Sequence, residues 1–405
     1  MKKFIAILIT ACLLLGVNVS AATESITVSS ECDISDINVP IDTKVEDTVY
    51  GQHLEINAVS AVLMEAKTGK ILYEDNADQT LPPASITKIM SLLLVCEQID
   101  NGNISLEEVI NASEHACSMG GSQIWLEPNE SMTVDDLLKA AVIASANDAT
   151  VALGERVAGS EEGFVALMNK KAKELGMNST TFKNCTGLDA EGHLTTANDV
   201  AIMSAALISH DLIKRYSTVW MDSLRDGKSE LVNTNKLVRF YKGTTGLKTG
   251  TTSSAGYCLS ATAEKDGMSL VAVIMGGKSS ADRFNGAKKL LDYGFANYSF
   301  EQIKPDIKDN ETVKVKNGTE NEVNIKPSGE FNLLLKKTEK ADISQKKVLN
   351  KNISAPIKKG DKLGRIELYN GDTQIDAIDI TATSDVKKLN FLATLSWVFS
   401  GLFKP

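Results

Sequence analysis

The feature that most constrains the fold is the apolar run from Ile89 to Val95, which directly follows Leu81-Pro82-Pro83-Ala84 and Ser85-Ile86-Thr87-Lys88. Proline is tolerated in the first turn of a helix, and the run is too broadly apolar for a helix with a solvent-exposed side. The pattern therefore predicts a buried helix that begins near Ala84, with Ser85 at its positively polarised end.

Ser85 and Lys88 are three residues apart, so a helix places both side chains on one face. A serine hydroxyl is a weak nucleophile until a base takes its proton, and a lysine amine can be that base if burial or a neighbouring cation lowers its pKa. The pair is a candidate for Ser-Lys acyl transfer. Because this spacing also occurs by chance in many helices, the stretch taken alone favours an ordinary structural helix.

The amino-terminal residues are typical of a secretory signal. Two lysines precede an apolar run over residues 4–19, and small residues suited to signal peptidase end at Ala21. We predict a signal peptide over 1–21; an uncleaved anchor is the alternative, although the run is shorter than the ~20 residues of a spanning helix. Residues 22–53, rich in Ser, Thr, Asp and Glu, are predicted to form a flexible leader.

Composition removes several classes of function. A formal net charge of -9 offers no electrostatic footprint for nucleic acid, and the sequence has neither a zinc-finger spacing nor a Gly-rich phosphate loop. The four histidines are scattered singly, so we expect no metal site and no cofactor. No disulfide framework is expected either, because the cysteines beyond the signal peptide have no paired spacings; they are Cys32, Cys96, Cys117, Cys185 and Cys258.

Hydrophobic patterns divide the rest of the chain into two folded parts. Residues 54–299 mix strands with helices: a hairpin over 58–73, helices over 134–144, 148–157, 197–209 and 287–295, and a hairpin of strands 255–263 and 268–275. Residues 300–383 carry two hairpin patterns with turns at Asn317-Gly318 and Asn370-Gly371, and are predicted to be a small all-β domain. A spacer or partner-binding role is expected for this domain.

The carboxyl-terminal segment, residues 384–405, has its own apolar stripe. Phe391, Leu395 and Phe399 share one side of a helical wheel. As a helix the apolar stretch would rise only about 22 Å, short of a ~30 Å hydrocarbon core. We therefore predict an amphipathic helix that lies in the membrane interface; packing of this helix on the β domain is the alternative.

Two further segments carry chemically useful side chains. Ser145-Ala146-Asn147 lies between two predicted helices, where Ser and Asn are ordinarily caps for free backbone N–H groups. Lys248-Thr249-Gly250 leads into the second hairpin as a strand or its edge. Each segment is weak evidence alone, but Ser-x-x-Lys, Ser-x-Asn and Lys-Thr-Gly in this order in an exported chain form a specific set.

On these motifs the chain resembles the low-molecular-mass penicillin-binding proteins, the serine-type D-alanyl-D-alanine carboxypeptidases. The resemblance runs from about residue 55 to the end. It implies an α/β (α+β) serine DD-peptidase/β-lactamase-like domain, with a mostly antiparallel sheet flanked by helices, before the all-β domain and the amphipathic helix. It also implies peptidoglycan stem pentapeptides as substrates, β-lactams as covalent inhibitors, and attachment to the outer face of the cytoplasmic membrane.

The resemblance implies a role for each residue of the first two motifs. Ser85 would attack the carbonyl between the two terminal D-alanines and form an acyl-enzyme, and Lys88 would accept its proton. Ser145 would relay a proton to the departing D-alanine, while Asn147 would hold the substrate's amide. The middle residue, Ala146, departs from the Asp or Gly expected there, but it is small and carries no chemistry.

The third motif would bind the carboxylate at the end of the substrate. The resemblance gives this role to Lys248, which would lie near Ser145, and to Thr249. The oxyanion would be met by the backbone N–H groups of Ser85 and Thr251. Arg283 resembles a carboxylate-orienting arginine of the family.

Two alternatives to the carboxypeptidase stay open at this point. A class A β-lactamase deacylates through a glutamate-activated water, and no Glu-x-x-Leu-Asn segment lies between Asn147 and Lys248. A catalytically silent cell-wall binding protein has no reason to keep both lysines and the serine. The main interpretation is therefore a carboxypeptidase that is acylated by penicillin and loses the acyl group slowly. The sequence does not indicate an oligomeric state.

Overall fold

The computed structural model describes residues 54–338 and 341–389. The predicted signal peptide, the leader and the apolar part of the predicted amphipathic helix lie outside the described residues. Within the described ranges, no helix is both long and apolar enough to cross a membrane.

The described chain is a series of antiparallel strands with helices between them. The strands are β1 Ser60–Glu65, β2 Ile71–Asp75, β3 Val109–Asn111, β4 Ser131–Thr133, β5 Met221–Leu224, β6 Ser229–Val232, β7 Thr244–Thr252, β8 Gly256–Lys265, β9 Met268–Gly277, β10 Tyr298–Ile303, β11 Thr312–Lys314, β12 Glu322–Pro327, β13 Phe331–Lys336, β14 Ile343–Leu349, β15 Lys362–Asn370 and β16 Thr373–Ala382. The α-helices are α1 Lys88–Asp100, α2 Glu114–Cys117, α3 Val134–Lys139, α4 Asn147–Ala158, α5 Glu161–Glu174, α6 Ala197–Ile208, α7 Asp211–Ser217, α8 Leu237–Phe240 and α9 Ser280–Asn297.

A five-stranded antiparallel sheet in the order β2-β1-β9-β8-β7 divides the first part of the chain into two layers. Alternate residues of β9 point to opposite faces, as strand geometry requires. Val271 and Val273 pack in the core that contains α1 and α6, whereas Leu270 and Ala272 pack with α9. The hairpins predicted around β1–β2 and β8–β9 are confirmed, and β7 lies at the sheet's edge.

The predicted buried helix after Ser85 is confirmed as α1. Residues 88–96 are all buried, which explains why the sequence lacks a polar stripe there. The helix is preceded by one tight 3₁₀ turn, Ala84–Thr87, so Ser85 lies within this turn and Lys88 is the first α-helical residue. Ala84 itself is in the left-handed region at φ 48°.

The predicted single helix over 134–144 is two structures. The α-helical part ends at Lys139, and Ala140–Ala144 form a wide π-type turn that ends at Ser145 with φ 64°. Hydrophobic spacing does not distinguish these helix types here, because the consecutive residues Ala140–Ile143 are all apolar and buried. Such wide turns are frequent at functional sites. The predicted helix over 287–295 also begins earlier, at Ser280, because the Ser279 side chain caps it.

The carboxyl-terminal part of the described chain is all β. A five-stranded sheet has the order β11-β12-β16-β15-β14, and β10 pairs with β13. The two predicted hairpins are confirmed as β11–β12 and β15–β16. Strand β14 was not predicted; Lys346 and Lys347 at its centre break the alternation of polar and apolar residues, which an exposed edge strand can tolerate.

Candidate active site

Ser85 and Lys88 are in hydrogen-bond contact at the start of α1. Lys88 Nζ lies 3.2 Å from Ser85 Oγ. The lysine is fully buried, and its amine also donates to Asn147 Oδ1 at 2.5 Å and to the Thr186 carbonyl oxygen at 2.7 Å. These contacts hold a single amine beside the serine hydroxyl.

Burial changes the acid–base properties of both lysines that the motifs identify. The pKa of Lys88 is lowered to about 7 by desolvation, although the nearby Asp148 carboxylate opposes the shift. The pKa of Lys248 is lowered well below its ordinary value by desolvation and by the neighbouring cations of Lys88 and Arg283. A neutral amine beside Ser85 is therefore accessible near neutral pH, which is what a general base requires.

The Ser145-Ala146-Asn147 segment joins the wide turn to α4. The capping role that such residues ordinarily have is not what the structure shows, since Ala146 is the N-cap residue and no side chain caps the helix. Asn147 instead crosses to Lys88 through Oδ1 and donates from Nδ2 to the Gly120 carbonyl oxygen at 2.6 Å. Ser145, two residues before Asn147 in the sequence, is also buried.

The third motif lies on the edge strand β7. Lys248 is buried, and its amine donates to the Thr249 carbonyl oxygen at 3.2 Å. Thr249 Oγ1 donates to Thr234 Oγ1 at 2.7 Å. Gly250 packs against the serine turn, because a Cβ atom there would lie 3.0 Å from the Ala84 Cβ. The strand thus passes directly beside the residue that precedes Ser85.

Arg283 reaches β7 from α9 and is buried. Its Nη1 donates to the Gly250 carbonyl oxygen at 3.0 Å, to Thr251 Oγ1 at 3.0 Å and to the Cys258 carbonyl oxygen at 3.3 Å. The contacts of Arg283 in this structure are therefore with the strands, and it positions the exposed Thr251. Its Nε has no hydrogen-bond partner in the part of the chain that the structure describes.

The turn at residues 184–187 belongs to the site, which the sequence did not reveal. Asn184 Oδ1 accepts hydrogen bonds from the backbone N–H groups of Thr186 at 3.2 Å and Gly187 at 2.7 Å. This fold of the turn aims the Thr186 carbonyl oxygen at Lys88. The sequence Asn184-Cys185-Thr186-Gly187 is typical of a turn, and nothing local in it connects these residues to Lys88.

His193 is a second residue that sequence reasoning missed. Its Nδ1 accepts from the Lys183 backbone N–H at 3.4 Å, so Nε2 carries the proton and donates to Thr87 Oγ1 at 2.9 Å. Thr87 Oγ1 in turn donates to the Ala84 carbonyl oxygen at 2.9 Å. Burial lowers the pKa of His193 to about 4, so the imidazole is neutral. Its hydrogen bond to Thr87 stabilises the serine turn.

Asp148 follows Asn147 and binds the loop that contains residues 120–126. Its buried carboxylate accepts from the backbone N–H groups of Ile124 and Leu126, each at 3.1 Å. The same loop supplies the Gly120 carbonyl oxygen that holds the Asn147 amide. Asp148 thus has a structural role in the site, because it holds the loop that positions Asn147.

Comparisons with known proteins identify the family of both parts of the chain. Residues 46–279 match the D-alanyl-D-alanine carboxypeptidase family, and residues 300–388 match the C-terminal domain of penicillin-binding protein 5. Over 357 residues the chain is 45% identical to the D-alanyl-D-alanine carboxypeptidase DacF of Bacillus subtilis, which covers 86% of this chain and 91% of that protein.

Solved structures are similar over the same parts of the chain. Penicillin-binding protein 5 of Haemophilus influenzae is 29% identical with a TM-score of 0.71, covering 84% of this chain and 100% of that one. Penicillin-binding protein D2 of Listeria monocytogenes, in an ampicillin-bound form, is 33% identical with a TM-score of 0.55, covering 60% of this chain and 100% of that one. The predicted fold class is confirmed. The chain therefore belongs to the serine-type D-alanyl-D-alanine carboxypeptidases, the low-molecular-mass penicillin-binding proteins.

Proposed function

We propose that this carboxypeptidase removes the terminal D-alanine from peptidoglycan stem pentapeptides through an acyl-enzyme on Ser85. The observation that carries the proposal is the buried Lys88 amine, 3.2 Å from the Ser85 hydroxyl oxygen. A desolvated amine at this distance is a base within reach of the proton that it must take.

Acylation then requires two proton transfers, one from Ser85 to its base and one to the departing nitrogen. Neutral Lys88 takes the Ser85 proton as Oγ attacks the carbonyl carbon, and the backbone N–H groups of Ser85 and Thr251 stabilise the oxyanion. When the peptide bond breaks, the proton held by Lys88 passes through Ser145 to the D-alanine nitrogen, which returns Lys88 to its neutral form. The products are free D-alanine and an ester on Ser85, which water hydrolyses with Lys88 again as base.

The substrate's carboxylate favours the charged form of the Lys248 amine beside it, and Lys248 and the hydroxyl of Thr249 bind this carboxylate of the departing D-alanine. A charge-assisted contact of this kind distinguishes a chain end from an internal peptide. Asn147 holds the substrate's amide in the same active site. Arg283 acts on the carboxylate indirectly in this scheme, because it bonds Thr251.

The same serine is the proposed target of β-lactams. Support comes from the similar Listeria protein, whose structure contains ampicillin. The chain lacks the glutamate segment through which class A β-lactamases deacylate, so we propose that the penicilloyl ester is hydrolysed slowly.

The location is a separate proposal that is supported by the sequence alone. The lysine-led apolar run over residues 4–19 is typical of an export signal. The stripe of Phe391, Leu395 and Phe399 is typical of an interfacial helix. We propose an exported enzyme that is attached peripherally to the outer face of the cytoplasmic membrane. A chain that ends before Lys387 should stay active but no longer sediment with membranes, and sedimentation of the truncated enzyme would contradict the attachment.

Fluorescent-penicillin labelling tests the catalytic proposal. The wild type and a Ser105→Ala control, altered at an exposed serine, should take up one slowly lost label, and Ser85→Ala should take up none. The wild type should also release D-alanine from a pentapeptide that ends in D-Ala-D-Ala. A label retained by Ser85→Ala would contradict the assignment of the nucleophile, and rapid turnover of penicillin would favour a β-lactamase.

A further inference from the structure

Glu161, the first residue of α5, binds the turn that contacts Lys88, although none of the three motifs includes it. Its Oε1 accepts a hydrogen bond from the Cys185 backbone N–H at 3.1 Å. Burial and the Glu161 carboxylate raise the pKa of the Cys185 thiol well above its ordinary value, so the thiol keeps its proton and donates to that carboxylate. Residue 185 thus gives two donors to one carboxylate.

The second oxygen of this carboxylate contacts helix α2. His115 Nε2 lies 2.7 Å from Glu161 Oε2. The side chain of Glu161 is only 13% exposed, whereas that of His115 is 46% exposed. A carboxylate that is largely removed from water is stabilised by the donors around it. With Oε2 occupied by His115, Oε1 is the oxygen that binds the turn.

Helix α1 holds residue 185 by its other backbone group. Ser91 Oγ donates to the Cys185 carbonyl oxygen at 2.7 Å. Ser91 is buried and lies three residues after Lys88, so both side chains are on one face of α1. The next carbonyl oxygen, that of Thr186, accepts from Lys88 Nζ at 2.7 Å. Cys185 is therefore clamped between Glu161 and Ser91, directly before the residue that binds Lys88.

The Thr186 carbonyl restricts where the lone pair of a neutral Lys88 amine can point. Such an amine has two N–H bonds and one lone pair. Asn147 Oδ1 and the Thr186 carbonyl oxygen, 2.5 and 2.7 Å from Nζ, accept the two N–H bonds. The lone pair is then left for Ser85 Oγ, at 3.2 Å, which is the orientation that a general base needs. If the Thr186 carbonyl moved away, the amine would be free to turn its lone pair from the hydroxyl.

We propose that Glu161 is a positioning residue for Lys88, because it fixes the turn whose Thr186 carbonyl orients the base. Glu161 touches neither the substrate nor the reacting atoms in this scheme, and it acts through the backbone of Cys185. The inference rests on the proposed function, since it requires Lys88 to be the base for Ser85.

Three variants at the start of α5 test the proposal. Glu161→Ala removes the acceptor of the Cys185 N–H, whereas Glu161→Gln keeps an amide oxygen in its place. Glu162→Ala is the matched control, because Glu162 is exposed, lies in the same first turn and bonds the Ser160 side chain. Each variant removes one negative charge from the helix N-terminus, so an effect of that charge alone would appear in all three.

The time course of fluorescent-penicillin labelling, recorded at a series of pH values, is the measurement. The final amount of label gives the fraction of enzyme that is folded, and the rate constant does not depend on that fraction. On the high-pH plateau, Glu161→Ala should be labelled roughly three- to tenfold more slowly than the wild type, the range expected for the loss of one hydrogen bond. Glu161→Gln and Glu162→Ala should stay within about twofold of the wild type.

The pH midpoint of labelling is the readout that a merely structural role would not move. The Thr186 carbonyl oxygen favours the charged form of the Lys88 amine, so its displacement in Glu161→Ala should lower the pKa of Lys88 and move the midpoint to lower pH. The other ionisable groups that act on Lys88 are unaltered in this variant; they are Cys185, Asp148 and Lys248.

Several outcomes would overturn the positioning role. One is labelling of Glu161→Ala at the wild-type rate, and another is equal slowing of Glu161→Gln or Glu162→Ala. A slower Glu161→Ala whose midpoint is unmoved or higher would also refute it, because Lys88 would then not be the group that Glu161 positions.

A second variant keeps the test decisive if Glu161→Ala does not fold. Ser91→Ala frees the Cys185 carbonyl on the other side of the clamp, and it should slow labelling and lower the midpoint in the same sense. Wild-type values in folded Ser91→Ala would refute the clamp. A folded wild type that takes up no label would instead overturn the proposed function, and the positioning role would fail with it.

Discussion

A Cβ atom at Gly187 would lie 1.8 Å from the carbonyl oxygen of Ala84. The two backbones therefore touch, one from the turn that holds Lys88 and the other from the turn that carries Ser85. Gly187 also has φ 90°, a conformation that other residues rarely adopt. The contact means that the base and the nucleophile are positioned by the same pair of turns.

Substituting Gly187 should therefore disable the site. In Gly187→Ala the new methyl group must push the serine turn away, and a displacement of about 1 Å can cost roughly a hundredfold in rate. We expect penicillin acylation to slow by about that factor, measured as the second-order rate constant. Gly227→Ala is the matched control, because Gly227 has φ 84° and nothing within 4 Å of its Cβ position. Equal rates for both variants would contradict the prediction.

The pKa of Lys88 predicts how acylation depends on pH. Only the neutral amine can take the Ser85 proton, and burial brings the pKa of Lys88 to about 7. The acylation rate constant should therefore rise about tenfold per pH unit below that value and level off above it. Lys88→Arg should be inactive throughout, since a guanidinium does not lose its proton in proteins. A wild-type acylation rate constant that does not change between about pH 5 and 7 would contradict the assignment of Lys88 as the base.

His193 predicts a loss of stability in acid. Burial lowers its pKa to about 4 from the ordinary 6.5, so the unfolded chain binds a proton that the folded chain does not. Above pH 6.5 both states hold a neutral His193, so the free energy of unfolding is not reduced. As the pH falls toward 4, protonation of His193 in the unfolded chain lowers the free energy of unfolding, by up to about 3 kcal/mol. Urea unfolding of the wild type and of His193→Gln across this range measures it. The variant should lose less stability on acidification, and identical slopes would exclude His193 as the cause.

Asp148 predicts an effect on both stability and activity. Removing its carboxylate in Asp148→Ala leaves the buried N–H groups of Ile124 and Leu126 without their acceptor. We expect the free energy of unfolding to fall by about 3 kcal/mol, since each unpaired buried group costs about 1–3 kcal/mol. Asp148→Asn keeps one acceptor oxygen and should lose less.

The same substitution should weaken acylation in protein that is still folded. The loop that Asp148 holds also carries Gly120, whose carbonyl oxygen binds Asn147. Thermal unfolding and penicillin labelling, measured on the same preparations at a temperature where each variant is folded, separate the two effects. Wild-type labelling in folded Asp148→Ala would show that the loop is not needed to place Asn147.

Much of this architecture could be predicted from local patterns. The apolar run from Ile89 to Val95 predicted the buried helix, and the two hairpins around β1–β2 and β8–β9 followed from alternation and turn residues. Boundaries were less accurate where a cap or a wide turn decided them, as at Ser279 and at Ala140–Ala144. Such features depend on single side chains and on one extra residue per turn, which periodicity does not record.

The sequence by itself determined the order of the three motifs and the closeness of Ser85 to Lys88, because a spacing of three residues fixes neighbours on a helix. Only the tertiary structure decided what surrounds that pair. Lys88 meets the Asn147 amide and the Thr186 carbonyl, which are 59 and 98 residues away along the chain. The burial that lowers its pKa also arises only when the chain is folded. The chemistry of the lysine is therefore a property of the folded chain, whereas its position beside the serine follows from the local sequence.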